Sequence, residues 1–185
     1  MIDRIRAAIA AHPKKALPLG ELTPAAVTVP IFLKNGEWMV LLTRRTQKVR
    51  HHKGEISFPG GARDDGDTTL WETALRETEE EVGIRGDALS LLGELDDIRT
   101  MSRFRVTPFV VTFSYPYPLN VCRAEIDEIL EIPLSGLQNE ARLEEKVAKY
   151  EGEQALVYFY YYRSLVIWGA TAKILKQLLD MVDFT

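Results

Sequence analysis

The chain has 185 residues, 46% of them hydrophobic and 27% charged, with a formal net charge of -4. That length suits one well-buried domain, and an acidic balance argues against a general nucleic-acid binder. A single cysteine, Cys122, excludes an intramolecular disulfide framework and fits a reducing compartment.

No apolar run approaches membrane-span length, and residues 1–6 lack a signal peptide's apolar core. A cytoplasmic protein with no membrane or nucleic-acid partner is therefore expected. In chain order, Ile2, Ile5 and Ile9 predict a short amphipathic helix over 2–11, and Pro13 to Pro24 reads as a connection. Ala26–Leu33 and Glu37–Thr43 flank Lys34-Asn35-Gly36, a hairpin signal. Pro30 inside the first run predicts an edge strand or a bulge. Residues 44–58 are basic and polar, carrying Arg44, Arg45, Lys48, Arg50, His51, His52 and Lys53 before a strand-like Glu55–Phe58.

A glycine-rich loop from Gly60 then delivers a helix over roughly 69–82, with Gly83 as its C-cap. Leu89–Leu92, Val106–Phe113 and Ile126–Ile132 read as strands, with Pro116, Pro118 and Pro133 in the loops between them. The segment 139–150 suits either a helix carrying Leu143, Val147 and Tyr150 or a charged strand turning at Gly152. Ala155–Tyr162 is strand-like, and 170–182 places Ile174, Leu175, Leu178, Leu179 and Val182 on a helical core face. There is no internal repeat or domain boundary, so 1–185 is expected to form one domain. Strands dominate the middle without βαβ alternation, which predicts an α/β (α+β) fold with a mixed sheet covered by helices.

The chemistry concentrates in the helix after the glycines. At 100° per residue, Glu77 and Glu81 project about 40° apart, with Glu80 about 60° to one side of Glu77. Three carboxylates share a face, while Trp71, Leu75, Thr78 and Val82 form a separate packing stripe. Clustered carboxylates suit hard divalent cations.

This segment resembles the Nudix box, whose helix carries Arg-Glu-x-x-Glu-Glu-x-Gly, here Arg76, Glu77, Glu80, Glu81 and Gly83. The box spans about 60–84. The stretch from Gly61 to Arg76 is one residue longer than the common spacing, leaving Asp67 or nothing at the early glutamate, and Thr78 replaces an apolar residue at a small expected cost in packing. Upstream, Leu41-Leu42-Thr43-Arg44-Arg45, Arg50, Gly54 and Phe58-Pro59-Gly60-Gly61 are similar to the coenzyme A diphosphatase branch, which shares the longer spacing; Thr46 departs from its usual serine or alanine. Leu91–Leu95, Glu131–Leu134 and Ile167–Ala172 extend that similarity, so it covers about residues 27–175.

The resemblance implies an α/β/α sandwich and metal-dependent hydrolysis of a nucleoside diphosphate linked to another group. Coenzyme A or an acyl derivative is the favoured small-molecule substrate; ADP-ribose, NADH and nucleoside triphosphates are alternatives. Mg²⁺ or Mn²⁺ would be held by Glu77, Glu80 and Glu81 with a carbonyl of the Gly61 loop. Arg76 would fix the rotamer of Glu80, and either Glu80 or Glu125 would be the base. Arg45 and Arg50 would recognise phosphate. A homodimer is expected only by analogy with the superfamily.

Blander readings compete. A glutamate-rich helix is commonly a solvated acidic face, basic loops are commonly plain surface, and adjacent His51 and His52 seldom converge on one ion. The aromatic run Tyr158–Tyr162 reads better as a two-sided strand than as a nucleobase platform. Two further classes remain open: a non-catalytic nucleotide sensor and a structural interaction domain.

Overall fold

A computed structural model describes residues 1–47, 54–150 and 153–184. Helix α1 (Ile2–Ala11) leads into strand β1 (Thr23–Lys34), which turns through Asn35-Gly36 into β2 (Glu37–Arg45). Both turn residues have positive φ, the conformation that Asn and Gly adopt most readily and that a tight hairpin requires. The short β3 (Ile56–Ser57) and β4 (Gly60–Ala62) follow, then α2 (Leu70–Val82), β5 (Ser90–Glu94), β6 (Ile98–Arg99), β7 (Phe104–Thr112) and β8 (Ile126–Pro133). The chain ends in α3 (Leu134–Asn139), β9 (Arg142–Tyr150), β10 (Glu153–Tyr162), β11 (Leu165–Trp168) and α4 (Gly169–Met181).

Eight of these strands form one mixed sheet: β1 runs parallel to β7 and antiparallel to β2 and β4. A separate antiparallel sheet has the order β11-β10-β9. Two cores explain the layering. On one face Ile5 and Ile9 of α1 and Ile174, Leu175 and Leu178 of α4 bury against Val29, Ile31, Val40 and Leu42. On the other, Ala74 and Val82 of α2 pack with Ala26, Phe32, Leu41 and Phe109. Helices thus cover both faces, the expected sandwich. Each fully buried Leu or Ile contributes roughly 1.5–3 kcal/mol, so the faces of β1 and β2 fix the sheet and, through it, the position of α2.

Three expectations change or sharpen. Pro30 lies in a central strand, not at an edge, in register with Val111 of β7. On its other flank, pairing with β4 stops at Val27 and pairing with β2 resumes at Ile31, so a residue without an N–H occupies a break in the ladder. The segment 139–150 is resolved in favour of the strand: β9 pairs along its length with β10. Thr78 does not weaken packing. It is fully buried, and its hydroxyl lies 2.8 Å from that of Thr28 and donates to the Ala74 carbonyl at 2.7 Å.

Candidate active site

The helix carrying the carboxylates is fixed at both ends by local chemistry. Thr69 accepts from the Glu72 amide at 3.1 Å, and the Glu72 carboxylate accepts from the Thr69 amide at 3.2 Å, a reciprocal N-terminal cap. The sequence carries a local signal for this start in Thr69-x-x-Glu72, which reading the helix from its period and Gly83 alone misses. Gly83 ends the helix at φ 77°, where a Cβ would meet Asn120 at 2.6 Å. The amides of Asn120 and Cys122 then bond the carbonyls of Val82 and Glu81, tying the following loop to the last turn.

Strand β4 brings the glycine loop beneath this helix by pairing Gly60 with Val27 and Gly61 with Ala26. A Cβ on Gly61 would lie 2.5 Å from Cδ and Oε1 of Glu77, so only glycine admits that carboxylate here. The Gly60 amide donates to Oε2 of Glu81 at 3.3 Å.

The three carboxylates do not share one environment. The Glu81 side chain is 4% exposed, Glu77 18% and Glu80 59%. Periodicity placed them on one face; the tilt of α2 against β1 and β4 buries one edge of that face and leaves the other in solvent. Burial pushes the Glu81 carboxyl up to about 8, although the Arg45 guanidinium and the Gly60 amide favour its charged form. Glu77 is also raised by burial, against the pull of Arg76.

Two arginines organise the cluster. Arg76 donates to both oxygens of Asp67 at 3.1 and 3.0 Å, to Glu77 at 2.8 Å and to Glu80 at 3.2 Å. Hydrogen bonds from Arg76 and from the Asp64 amide hold the Asp67 carboxyl well below its ordinary range. Asp67 is 7% exposed and also accepts from the Thr73 hydroxyl. This clamp was not legible in spacing, because a loop sets its approach. Arg45 bridges Glu81 at 3.2 Å and Glu125 at 3.3 Å, bringing two of the residues singled out beyond the box helix, Arg45 and Glu125, to the buried glutamate. Arg50, His51, His52 and Lys53 lie outside the described residues.

In this side-chain arrangement no three carboxylates among the described residues converge as a ready-made metal cage; Arg76 and Arg45 reach between them. The donor set nonetheless fits a hard divalent cation. It consists of carboxylate oxygens, and the most buried of them lacks enough positive charge to stay ionised near neutrality. A cation beside Glu81 and Glu77 would supply that charge.

The sequence pattern of the NUDIX domain family matches residues 22–151. Over 159 residues the chain is 39% identical to a protein of Photorhabdus laumondii described as an uncharacterized Nudix hydrolase NudL, covering 86% of this chain and 84% of that one. A Yersinia enterocolitica protein of the same description is 38% identical, with 86% and 81% covered. The chain therefore belongs to the Nudix hydrolase family. Its fold is shared with an Ap4A hydrolase from C. elegans in a binary complex (TM-score 0.53, 21% identity, 60% of this chain and 80% of that one). A NUDIX hydrolase from Alicyclobacillus acidocaldarius shares it over 86% of this chain and 91% of that one (TM-score 0.50, 20% identity). No helix among the described residues is long and apolar enough to cross a membrane.

Proposed function

We propose that this protein hydrolyses the diphosphate of coenzyme A or an acyl derivative, giving 4'-phosphopantetheine and adenosine 3',5'-bisphosphate, with Mg²⁺ or Mn²⁺ as cofactor. The observation that carries the metal-dependent chemistry is the burial of Glu81 and Glu77 against Gly60 and Gly61 without full charge compensation. The branch-like residues Leu41–Arg45 and Phe58–Gly61 support the choice of substrate.

Glu77 and Glu81 would hold the cation, with Glu80 and a carbonyl of the Gly61 loop completing the set. When bound, the metal would neutralise diphosphate charge and lower the pKa of a coordinated water. Water adds across the P–O–P bridge: its oxygen bonds one phosphorus, and the bridging oxygen leaves with the other phosphoryl group. Glu80, in solvent reach and steered by Arg76, accepts the proton from the attacking water. Glu125 is the rival base, because Arg45 draws it toward Glu81. Arg45 itself places a guanidinium at the rim for a phosphate oxygen, and Arg50 is assigned the same role from sequence.

Product analysis with coenzyme A, ADP-ribose, NADH and oxidised nucleoside triphosphates, under Mg²⁺ and Mn²⁺, tests the reading. Coenzyme A should give the highest specificity and the two products named. A large preference for one of the others would overturn the substrate and leave the metal site standing.

A further inference from the structure

The small sheet ends on β9, and the outer edge of this nine-residue strand has no strand partner among the described residues. Such an edge is a row of unpaired amides and carbonyls, commonly blunted by charge or covered. Here the charged residues give way just past the middle to Val147 and Ala148. Val147 is 65% exposed, more than any other large hydrophobic among the described residues, and its cross-strand neighbour Leu156 is 47% exposed.

Glu145 and Lys149 sit two residues to either side of Val147, on its face of the strand. Neither forms an ion pair within the described residues. On the opposite face Arg142, Glu144 and Lys146 satisfy one another, at 2.8 and 2.9 Å. The charges that flank the exposed valine are thus the less compensated ones: Glu145 has Lys176 of α4 near it but beyond ion-pair distance, and Lys149 has no ion-pair partner among the described residues.

We propose that β9 is a homodimer interface, in which two copies pair edge to edge, antiparallel, about a twofold axis through Val147. An axis normal to the sheet keeps every side chain on its own face, so self-pairing must be centred on a residue. Centring on Glu145 or on Lys146 sets like charges directly opposite, which destabilises. Centring on Val147 sets the two valines together and matches Glu145 with the partner's Lys149 twice over. Leu156, Val147 and their copies then form one apolar row across the joint, and two three-stranded sheets become one of six. The pairing is isologous and consumes both free edges, so it closes at two copies.

Sedimentation and light scattering on the full chain test this. The wild type should be a dimer, and Glu145→Lys or Lys149→Glu should each weaken it at least tenfold, about the effect of replacing two opposite-charge pairs by like-charge pairs. The double reversal Glu145→Lys with Lys149→Glu should restore the dimer. In a Cys122→Ser background, Val147→Cys should cross-link on oxidation, because directly opposed residues lie about 4.5–5.5 Å apart. Lys146→Cys, offset from its own copy, should not. A monomer at high micromolar concentration, an open-ended assembly, or a dimer indifferent to both reversals would overturn the proposal.

Discussion

Arg76 grips Asp67 with two parallel hydrogen bonds, from Nε at 3.1 Å and from Nη2 at 3.0 Å, and spends its remaining Nη1 on Glu77 and Glu80. The guanidinium is thus anchored on a buried aspartate of the preceding loop and reaches the reactive carboxylates from that anchor. A planar fork needs this two-point partner to hold its orientation.

Asp67→Asn should leave Arg76 with one neutral acceptor and let it swing toward Glu77. We expect a turnover loss of about tenfold or more with a Tm lowered by a few degrees. Arg76→Lys should behave similarly, since an ammonium cannot span Asp67, Glu77 and Glu80 in one plane. Steady-state kinetics beside thermal melts of both variants check this; wild-type turnover in Asp67→Asn would show the clamp to be dispensable.

The buried Glu81 sets a pH dependence whose sign follows from its raised pKa. The folded state holds this proton more tightly than the unfolded chain does. Its stabilising contribution is complete below the unfolded value of 4.5 and is lost as pH rises through about 8. Metal-free protein should therefore lose this contribution between those limits. Added Mg²⁺ or Mn²⁺ competes with the proton, so its stabilising effect should be larger at pH 8 than at pH 6. Melting curves with and without metal across this range test it, and Glu81→Gln should flatten both trends.

Gly60 and Gly61 separate stability from binding. A Cβ on Gly60 would lie 2.3 Å from the Ala26 carbonyl oxygen and 2.6 Å from Val27 Cα, so Gly60→Ala should damage the fold. The three atoms nearest a Cβ on Gly61 all belong to the flexible end of Glu77, at 2.5–2.8 Å. Gly61→Ala should fold with a nearly unchanged metal-free Tm yet bind Mn²⁺ at least about tenfold more weakly, because the Glu77 carboxylate must move aside. Titration followed by calorimetry or paramagnetic relaxation reads this directly, and unaltered affinity would remove Gly61 from the site.

The contact between Thr28 and Thr78 adds a buried polar tie between α2 and β1 to the apolar packing of Ala74 and Val82 against Ala26. Thr78→Val alone strands a buried hydroxyl at Thr28 and should cost about 1–3 kcal/mol. The pair Thr28→Val with Thr78→Val should recover much of that loss. Chemical denaturation of both singles and the double forms a complete cycle, and strict additivity would show the hydroxyls to be uncoupled.

These residues also show where sequence reasoning reaches its limit. Helix α2 was legible because Gly83 and the 3.6-residue period speak locally. The unequal burial of Glu77, Glu80 and Glu81 was not, since it depends on how closely β4 approaches α2. Thr78 looked like a weakened apolar position because its partner lies 50 residues away. Pro30 looked like an edge residue because the gap in its ladder exists only once β4 and β2 share a flank. The 139–150 segment carried both periods, and pairing with β10 decided between them. Arg45 read as a phosphate ligand; its bridge from Glu81 to Glu125 needed the register of β2 against β8.

The choice of base separates by substitution. Glu80→Gln and Glu81→Gln should each lower turnover at least about a hundredfold while folding is retained. Glu125→Gln should have a much smaller effect if Glu80 takes the proton, and pH–rate profiles of the three variants distinguish the two assignments.

The central claim is that Glu77, Glu80 and Glu81 together hold a divalent cation against a bridging diphosphate. Anomalous diffraction from crystals grown with Mn²⁺ and a non-hydrolysable coenzyme A analogue tests it most directly. The account predicts a manganese peak within coordination distance, about 2.0–2.6 Å, of the Glu77 and Glu81 oxygens, with the diphosphate on its far side. A peak elsewhere, with those carboxylates still bonded only to Arg76 and Arg45, would contradict it.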